Sequence, residues 1–516
     1  MSVATSLLPL VVALAVLAVP GRANARWVGV AGSLAVVVFA AIMVARYDSD
    51  KGGIQFDDSA AWMGDLDARY HVGVDGTAIW LILMTAVITS AALLWNAFRP
   101  LRSDRTFVAL LLVTEAAVLS VFTALDLILF YVAFEVMLIP LYFLIGLWGD
   151  ARASVRFVIY TLAGSLLMLA GIIGTYVLVG RETGTYTFDI PELVRLIREQ
   201  GALTGPQQDV LFLLMSAAFL VKVPVWPFHG WLPGAYLSSP TPLVMVLSAV
   251  VSKVGVFGFL HTSIPLFPGG TDYWREVIAV LAVVGILYGS LLAFRHPTLT
   301  GVIAFSSLAH LGFITVGVMS LNQEGTAGAV FQMVNHGVVS AALFAIAGVL
   351  AERRGSDALA ALGGLSRPAP VLAGVFLVFA LANLAVPGAA TFTGEFLILT
   401  GAWDAYTPIA IAASVGIVAA AMYMLRAFQF SMEGPEEEAE ERPIADMRRR
   451  EYAVLAPLLA CAAVLTVVPR IVTTPAESAT TGPLPTVDLE AGRPAAEPPD
   501  AARDLPDFGA LDRRKP

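Results

Sequence analysis

The chain of 516 residues is 58% apolar and only 14% charged, which excludes a water-soluble globular protein of this length and makes it a polytopic membrane protein. Its net charge of −9 owes much to the acidic run EGPEEEAEE at 433–441 and gives no support for a nucleic-acid partner. The single cysteine, Cys461, can form no disulfide alone and cannot supply the Cys sets of iron–sulfur clusters, and no strand–GxGxxG–helix unit is present to hold a dinucleotide.

Apolar runs of about 20 residues suffice to cross a bilayer. They fall near 3–20, 27–45, 74–98, 106–124, 127–148, 155–180, 208–228, 240–260, 276–294, 299–319, 326–351, 370–399, 405–430 and 451–469. The expected fold is therefore all-α and polytopic, with about fourteen transmembrane helices. A small-residue site at Ala23–Ala25 follows the first run, but no Lys or Arg precedes the run's apolar centre and another apolar run follows at once, so we read it as an uncleaved helix.

The loop at 46–73 is polar. The segment FDIPELVRLIREQ at 188–200 predicts a short amphipathic helix on the outer surface, with Asp189 as N-cap, Pro191 in the first turn and Glu192 three residues after the cap. Alternate loops carry Arg22 and Arg26, then Arg99, Arg102 and Arg105, Arg152 and Arg156, Arg295, Arg353, Arg354, Arg367, and finally Arg442 with Arg448–Arg450. This set should be cytoplasmic, and an even span count then puts both termini outside. From Pro475 onward, Pro, Ala and acids dominate and a disordered tail is expected.

Only four lysines occur, and two of them, Lys222 and Lys253, interrupt apolar runs. Arginine keeps its proton in any protein, whereas burial can bring a lysine to titrate near neutrality, which suits a proton relay. Glu115, Glu135 and Glu395 lie at similar depth, as do His310, four and three residues after Ser306 and Ser307, and His336 beside Asn335. Each alone also fits a packing role. Together they are costly, at roughly 2.5–3.5 kcal/mol for each charged group at a helix centre. Haem ligation competes for the two histidines, but their hydroxyl and carboxyl neighbours suit proton transfer better.

Pro224 and Pro227 should open the seventh span just after Lys222, and Pro387–Gly388 the twelfth shortly before Glu395. Broken helices in matching positions beside titratable groups point to inverted repeats around a site near the membrane midplane.

These residues sit in stretches that resemble a known family. HVGVDGTAIWLILMT (71–85), LDLILFYVAFEVMLIPLYFLIGLWG (125–149), LVKVPVWPFHGWLP (220–233), SKVGVFGFL (252–260), AFSSLAHLGF (304–313), NHGVVSAALF (335–344) and VPGAATFTGEFLIL (386–399) are similar to the antiporter-like M subunits of bacterial NADH–quinone oxidoreductase, the respiratory complex I. The resemblance spans roughly 70–430. It implies two inverted five-helix repeats with helices 7 and 12 broken: residues 106–262 form helices 4–8 and residues 263–430 helices 9–13. Helices 1–3 would then occupy 1–105, a charged cytoplasmic loop and helix 14 431–470, and the tail 471–516.

It also implies roles. Glu135 and Lys222 match an essential glutamate–lysine pair, Lys253 the central lysine, His336 the histidine of the eleventh helix, Glu395 the terminal acid and Glu115 a further intramembrane glutamate. Glu395 favours complex I, because the related N and L subunits and the sodium/proton antiporters are usually lysine-like there. NADH, FMN, iron–sulfur clusters and quinone are expected in partner subunits and none in this chain. The implied partners are neighbouring membrane subunits and lipid, and the implied location is the bacterial inner membrane. The family commonly shows an acid and a histidine after WLP and a DLK segment before the tenth helix; this chain has Gly234-Ala235-Tyr236 and Thr298-Leu299-Thr300.

The expected function is proton pumping coupled to quinone reduction elsewhere in the complex. The alternatives are a subunit of a multisubunit cation/proton antiporter, a subunit of a related oxidoreductase with another electron donor, and a scaffold whose buried charges only fix packing.

Overall fold

A computed structural model describes residues 1–433 and 445–481. The chain runs through α1 (Ser2–Ala18), α2 (Arg22–Arg46), β1 (Gln55–Met63), β2 (Ala68–Val74), α3 (Ala78–Phe98) and α4 (Asp104–Thr123). Next come α5 (Leu127–Trp148), α6 (Ala151–Thr183), α7 (Ile190–Gln200), α8 (Gly205–Lys222), α9 (Leu232–Ser238), α10 (Thr241–Leu266) and α11 (Pro268–Arg295). The last elements are α12 (Leu299–Met319), α13 (Gln323–Arg354), α14 (Pro370–Asn383), α15 (Ala390–Met432), α16 (Arg449–Val467) and α17 (Arg470–Thr481).

Helix starts follow side-chain chemistry. Asp126, Asp150, Asp189, Thr298 and Asn322 each accept a hydrogen bond from a first-turn amide of the helix that follows, satisfying groups that have no partner within the helix. At Asp189 the expected cap forms, with Glu192 N donating at 3.0 Å, while the Glu192 side chain turns to Arg195 instead of closing a capping box.

Among the described residues, eleven helices are long and apolar enough to cross a membrane, with Ser2–Ala18 and Pro370–Asn383 as shorter apolar ones. The expected count of fourteen is not reached by length alone, because prolines divide two of the expected spans and α15 runs through a kink at Tyr406. The first break separates α8 from a short 3-10 turn at Phe228–Trp231 and α9; the second separates α14 from α15.

Peripheral helices leave large apolar side chains such as Leu14, Val418 and Val467 exposed, which suits apolar surroundings, whether lipid or a neighbouring membrane helix. In contrast, α10, α12 and α13 are buried along nearly their whole length. They form the axis of the bundle. Small residues allow the closest approaches: a Cβ at Gly328 would stand 2.7 Å from Ile398 N on α15, and one at Gly255 would stand 3.0 Å from Lys222 Cβ.

The arginine-rich loops gather at one end. Arg26 pairs with Asp104, Arg105 donates to the Val19 carbonyl, and Arg353 and Arg99 both hold Glu451 of α16, at 2.6 and 3.0 Å. Arg99 also pairs with Glu352, which takes Arg450 at 2.6 Å. At the opposite end lie the Met1 ammonium, bonded to Asp58, and the hairpin β1–β2, an antiparallel pair in the loop read as merely polar. The hairpin escaped the sequence reading because the β1 face, with Asp57, Asp58 and Ser59, carries little apolar alternation.

The tail corrects another expectation. Residues 470–481 are helical, and α17 packs on α13 with Val472 and Ala476 buried and Pro475 against Gly76, so tertiary contact orders a segment too weakly apolar to do so alone. Residues 482–516 of the expected disordered tail, and 434–441 of the acidic run, lie outside the described residues.

Candidate functional site

Lys253 lies on α10 between two π-helical turns, Leu247–Val251 and Phe259–Ser263, and is completely buried. Such turns widen the helix and re-aim side chains, and they often accompany functional sites. Its ammonium has three donors and finds three acceptors: the Ser248 carbonyl at 2.7 Å, Ser252 Oγ at 3.3 Å and His336 Nδ1 at 2.6 Å. With a charged lysine, His336 must accept on Nδ1, so a neutral ring carries its proton on Nε2.

The ring of His336 on α13 faces that of His310 on α12, centroids 5.4 Å apart. His310 Nδ1 lies 2.8 Å from Glu395 Oε1 on α15, and Gln332 Nε2 donates to the same oxygen at 3.2 Å. A donating His310 Nδ1 leaves Nε2 as an acceptor. Among the described residues neither His336 Nε2 nor His310 Nε2 has a hydrogen-bond partner. Lys253, His336, His310 and Glu395 form one buried row, contributed by four different helices.

Lys222 stands outside this row. It ends α8, where the last carbonyls of a helix favour a cation. Its buried Nζ has no hydrogen-bond partner among the described residues and lies 4.8 Å from the ring centre of Phe134 and 5.4 Å from that of Phe157, within cation–π range. Glu135 neighbours Phe134 on α5, and its Oε1 is likewise buried and unpartnered among the described residues. The two form no ion pair within 4.0 Å, although their charges interact. Glu115 on α4 is buried, and neither carboxyl oxygen has a partner among the described residues.

Several polar groups of the site escaped the sequence reading. Gln332 is the residue that fixes Glu395, and its signal was its position four residues before His336 on the same helical face. Ser248, bonded to Ser307 Oγ at 3.1 Å, carries no spacing that marks it, whereas Tyr236, part of the departure from the family pattern at 234–236, donates its hydroxyl to the Leu247 carbonyl at 3.1 Å.

At the hairpin end, His71 bridges Asp189 of α7 and Asp57 of β1, with the latter at 2.9 Å. The hydrogen bond with Asp189 raises its pKa above the ordinary histidine value against the opposing effect of burial, and Asp57 adds to the rise.

Comparison with known proteins decides the family. The family described as NADH:quinone oxidoreductase/Mrp antiporter, transmembrane, matches residues 124–421. NADH-quinone oxidoreductase subunit M of Rhodobacter capsulatus is 37% identical, over 90% of this chain and 93% of its own length. The subunit M of Mycobacterium tuberculosis is 39% identical, over 89% of each chain.

The chain belongs to the NADH-quinone oxidoreductase subunit M family.

A chain of the respiratory complex I of Thermus thermophilus matches it with a TM-score of 0.84 at 30% identity, covering 94% of this chain and all of that one. A chain of the Mrp complex of Dietzia shares the fold, with a TM-score of 0.79 at 22% identity over 93% of this chain and 97% of that one. The subunit M family thus accounts for the multi-pass helical architecture and its broken helices.

Proposed function

We propose that this chain is a proton-translocating membrane subunit of an NADH–quinone oxidoreductase that performs no redox step itself. The carrying observation is the buried row of titratable groups Lys253, His336, His310 and Glu395, together with the family assignment. NADH, FMN, iron–sulfur clusters and quinone belong to other subunits of the assembly, and the neighbours in the membrane are further subunits of it. The arginine-rich end is cytoplasmic, which puts the hairpin and the Met1 end outside.

In this reading, quinone reduction elsewhere changes the charge at Glu135, which alters the proton affinity of Lys222 through the interior of low dielectric. Lys222 in turn biases Lys253 across the close approach of α8 and α10 at Gly255. The Lys253 proton passes to His336 Nδ1 as the Nε2 proton leaves toward His310, whose Nδ1 proton goes to Glu395. The step between the two imidazoles, ring centres 5.4 Å apart, is the one step of this path with no direct hydrogen bond. Residues 106–262 and 263–430 act as two inverted repeats, each with a helix broken beside a titratable group, Lys222 in the first and Glu395 in the second.

The test measures NADH-driven quinone reduction and proton uptake together in inverted membrane vesicles. Lys222→Ala and Glu135→Ala should abolish uptake while the complex stays assembled. Normal pumping by an assembled variant refutes the mechanism, and sodium-dependent acidification without an electron donor would assign the chain to cation/proton exchange.

A further inference from the structure

Lys222 and Glu395 each stand beside a helix break, yet their surroundings differ in kind. Glu395 is held by hydrogen bonds with His310 and Gln332. Lys222 is fully buried, and its Nζ has no hydrogen-bond partner among the described residues. Burying an ammonium with three unmet donors is costly unless something else takes up the charge.

The helix end does not supply acceptors, because its carbonyls are already engaged. The Val221 carbonyl accepts from Trp231 Nε1 at 2.8 Å, the Leu220 carbonyl from the Val225 amide at 3.0 Å and the Phe219 carbonyl from the Val223 amide at 2.8 Å. What faces the ammonium instead is a pair of buried rings, Phe134 and Phe157, with centres 4.8 and 5.4 Å away. Both rings are wedged in place. Trp231 meets Phe157 edge-on at 5.1 Å, while Phe134 lies against Phe130 and Phe219 at 6.2 and 6.3 Å. Trp231, on the turn after the break, thus occupies a carbonyl next to the lysine and fixes one of the rings offered in its place.

A ring face attracts a cation through its quadrupole and does little for a neutral amine, and the attraction is strongest where water is excluded. An ammonium can also leave a ring face without breaking a hydrogen bond. Its alternative partner is close at hand, because Glu135 follows Phe134 on α5 and its Oε1 is equally unpartnered among the described residues.

We propose that Phe134 and Phe157 are positioning residues that give the Lys222 ammonium a second seat, to which it withdraws from Glu135 during turnover. The structure holds the ammonium in that seat. A change of charge at Glu135 then shifts it between carboxylate and rings, with no other hydrogen bond made or lost. This inference rests on the reading of Lys222 as a member of the pump.

The test places fluorinated phenylalanines at position 134 or 157 of the whole complex, with NADH-driven proton uptake by inverted vesicles as the readout. Fluorine drains the negative ring face while nearly preserving the ring's shape, so a residue that only fills space would not respond in steps. Uptake should decline progressively from phenylalanine through its monofluorinated to its trifluorinated form at either position. Phe134→Leu should lower it about tenfold, a desolvated cation–π contact being strong enough for that. The same series at Phe212, equally buried on α8 but outside these cation–π contacts, should leave uptake unchanged.

Constant uptake across the fluorinated series at 134 and 157 in assembled complexes overturns the proposal. An equal decline at Phe212 overturns it too, by tracing the loss to packing. Should Phe134→Leu fail to assemble, the fluorinated series decides, because it keeps the ring in place. Wild-type uptake in Lys222→Ala instead overturns the underlying reading of Lys222.

Discussion

Replacing His336 by phenylalanine cuts the buried row at its middle while keeping an aromatic ring of similar volume, so no large cavity is created. Lys253 loses the nearest of its three acceptors, at 2.6 Å, and keeps the Ser248 carbonyl and Ser252 Oγ. A hydrogen bond to a charged group contributes roughly 1.5–3 kcal/mol, which the remaining fold can absorb. Proton transfer suffers more, because the imidazole that joins Lys253 to His310 across a ring separation of 5.4 Å is gone. Loss of a positioned acid–base group costs roughly 10²–10⁴ in rate, or about 3–5 kcal/mol in the barrier. In inverted vesicles, His336→Phe should assemble normally yet show NADH-driven proton uptake lower by about 10²-fold. Asn335→Ala, one position away on α13, is the control that should leave uptake high. An assembled His336→Phe complex with wild-type uptake would remove the row from the pathway and leave the histidine as packing.

Other expectations follow from the surrounding contacts. Glu451 is only 2% exposed and holds both Arg99 and Arg353, so Glu451→Ala leaves buried cations short of a partner and should destabilise by roughly 3–5 kcal/mol; thermal unfolding of the purified complex should show it. Gly328→Ala drives a methyl to 2.7 Å from the Ile398 amide and should cost roughly 1–3 kcal/mol through overpacking, read as reduced assembly on native gels. The clasp of His71 on Asp189 and Asp57 should depend on pH. The histidine pKa is higher folded than unfolded, so its stabilisation is fully present below the unfolded value of about 6.5 and is lost as pH rises through the folded one. Proteolysis or amide exchange of the hairpin should therefore increase on the alkaline side, and His71→Gln should abolish that dependence.

What the sequence determined by itself is the part governed by local and compositional physics. Apolar runs long enough to span a bilayer, prolines that remove amide donors beside Lys222 and before Glu395, and Asp189 three residues before an amide in need of an acceptor all act over a few residues. They are legible without a fold. The titratable groups were legible too, because a lysine or glutamate within an apolar run is costly wherever the run ends up.

Connectivity was decided only in three dimensions. The row of Lys253, His336, His310 and Glu395 spans four helices, and the separations of 83 and 85 residues between its bonded members follow from no periodicity. The same reason explains why Glu115, equally conspicuous in sequence, stands apart from the row, why Ser248 and Gln332 went unmarked, and why α17 is ordered where its composition predicts a loose tail. The cost of burying a polar residue is written in the chain around it, whereas its partner is set by which helices the packing of small residues such as Gly255 and Gly328 brings into contact.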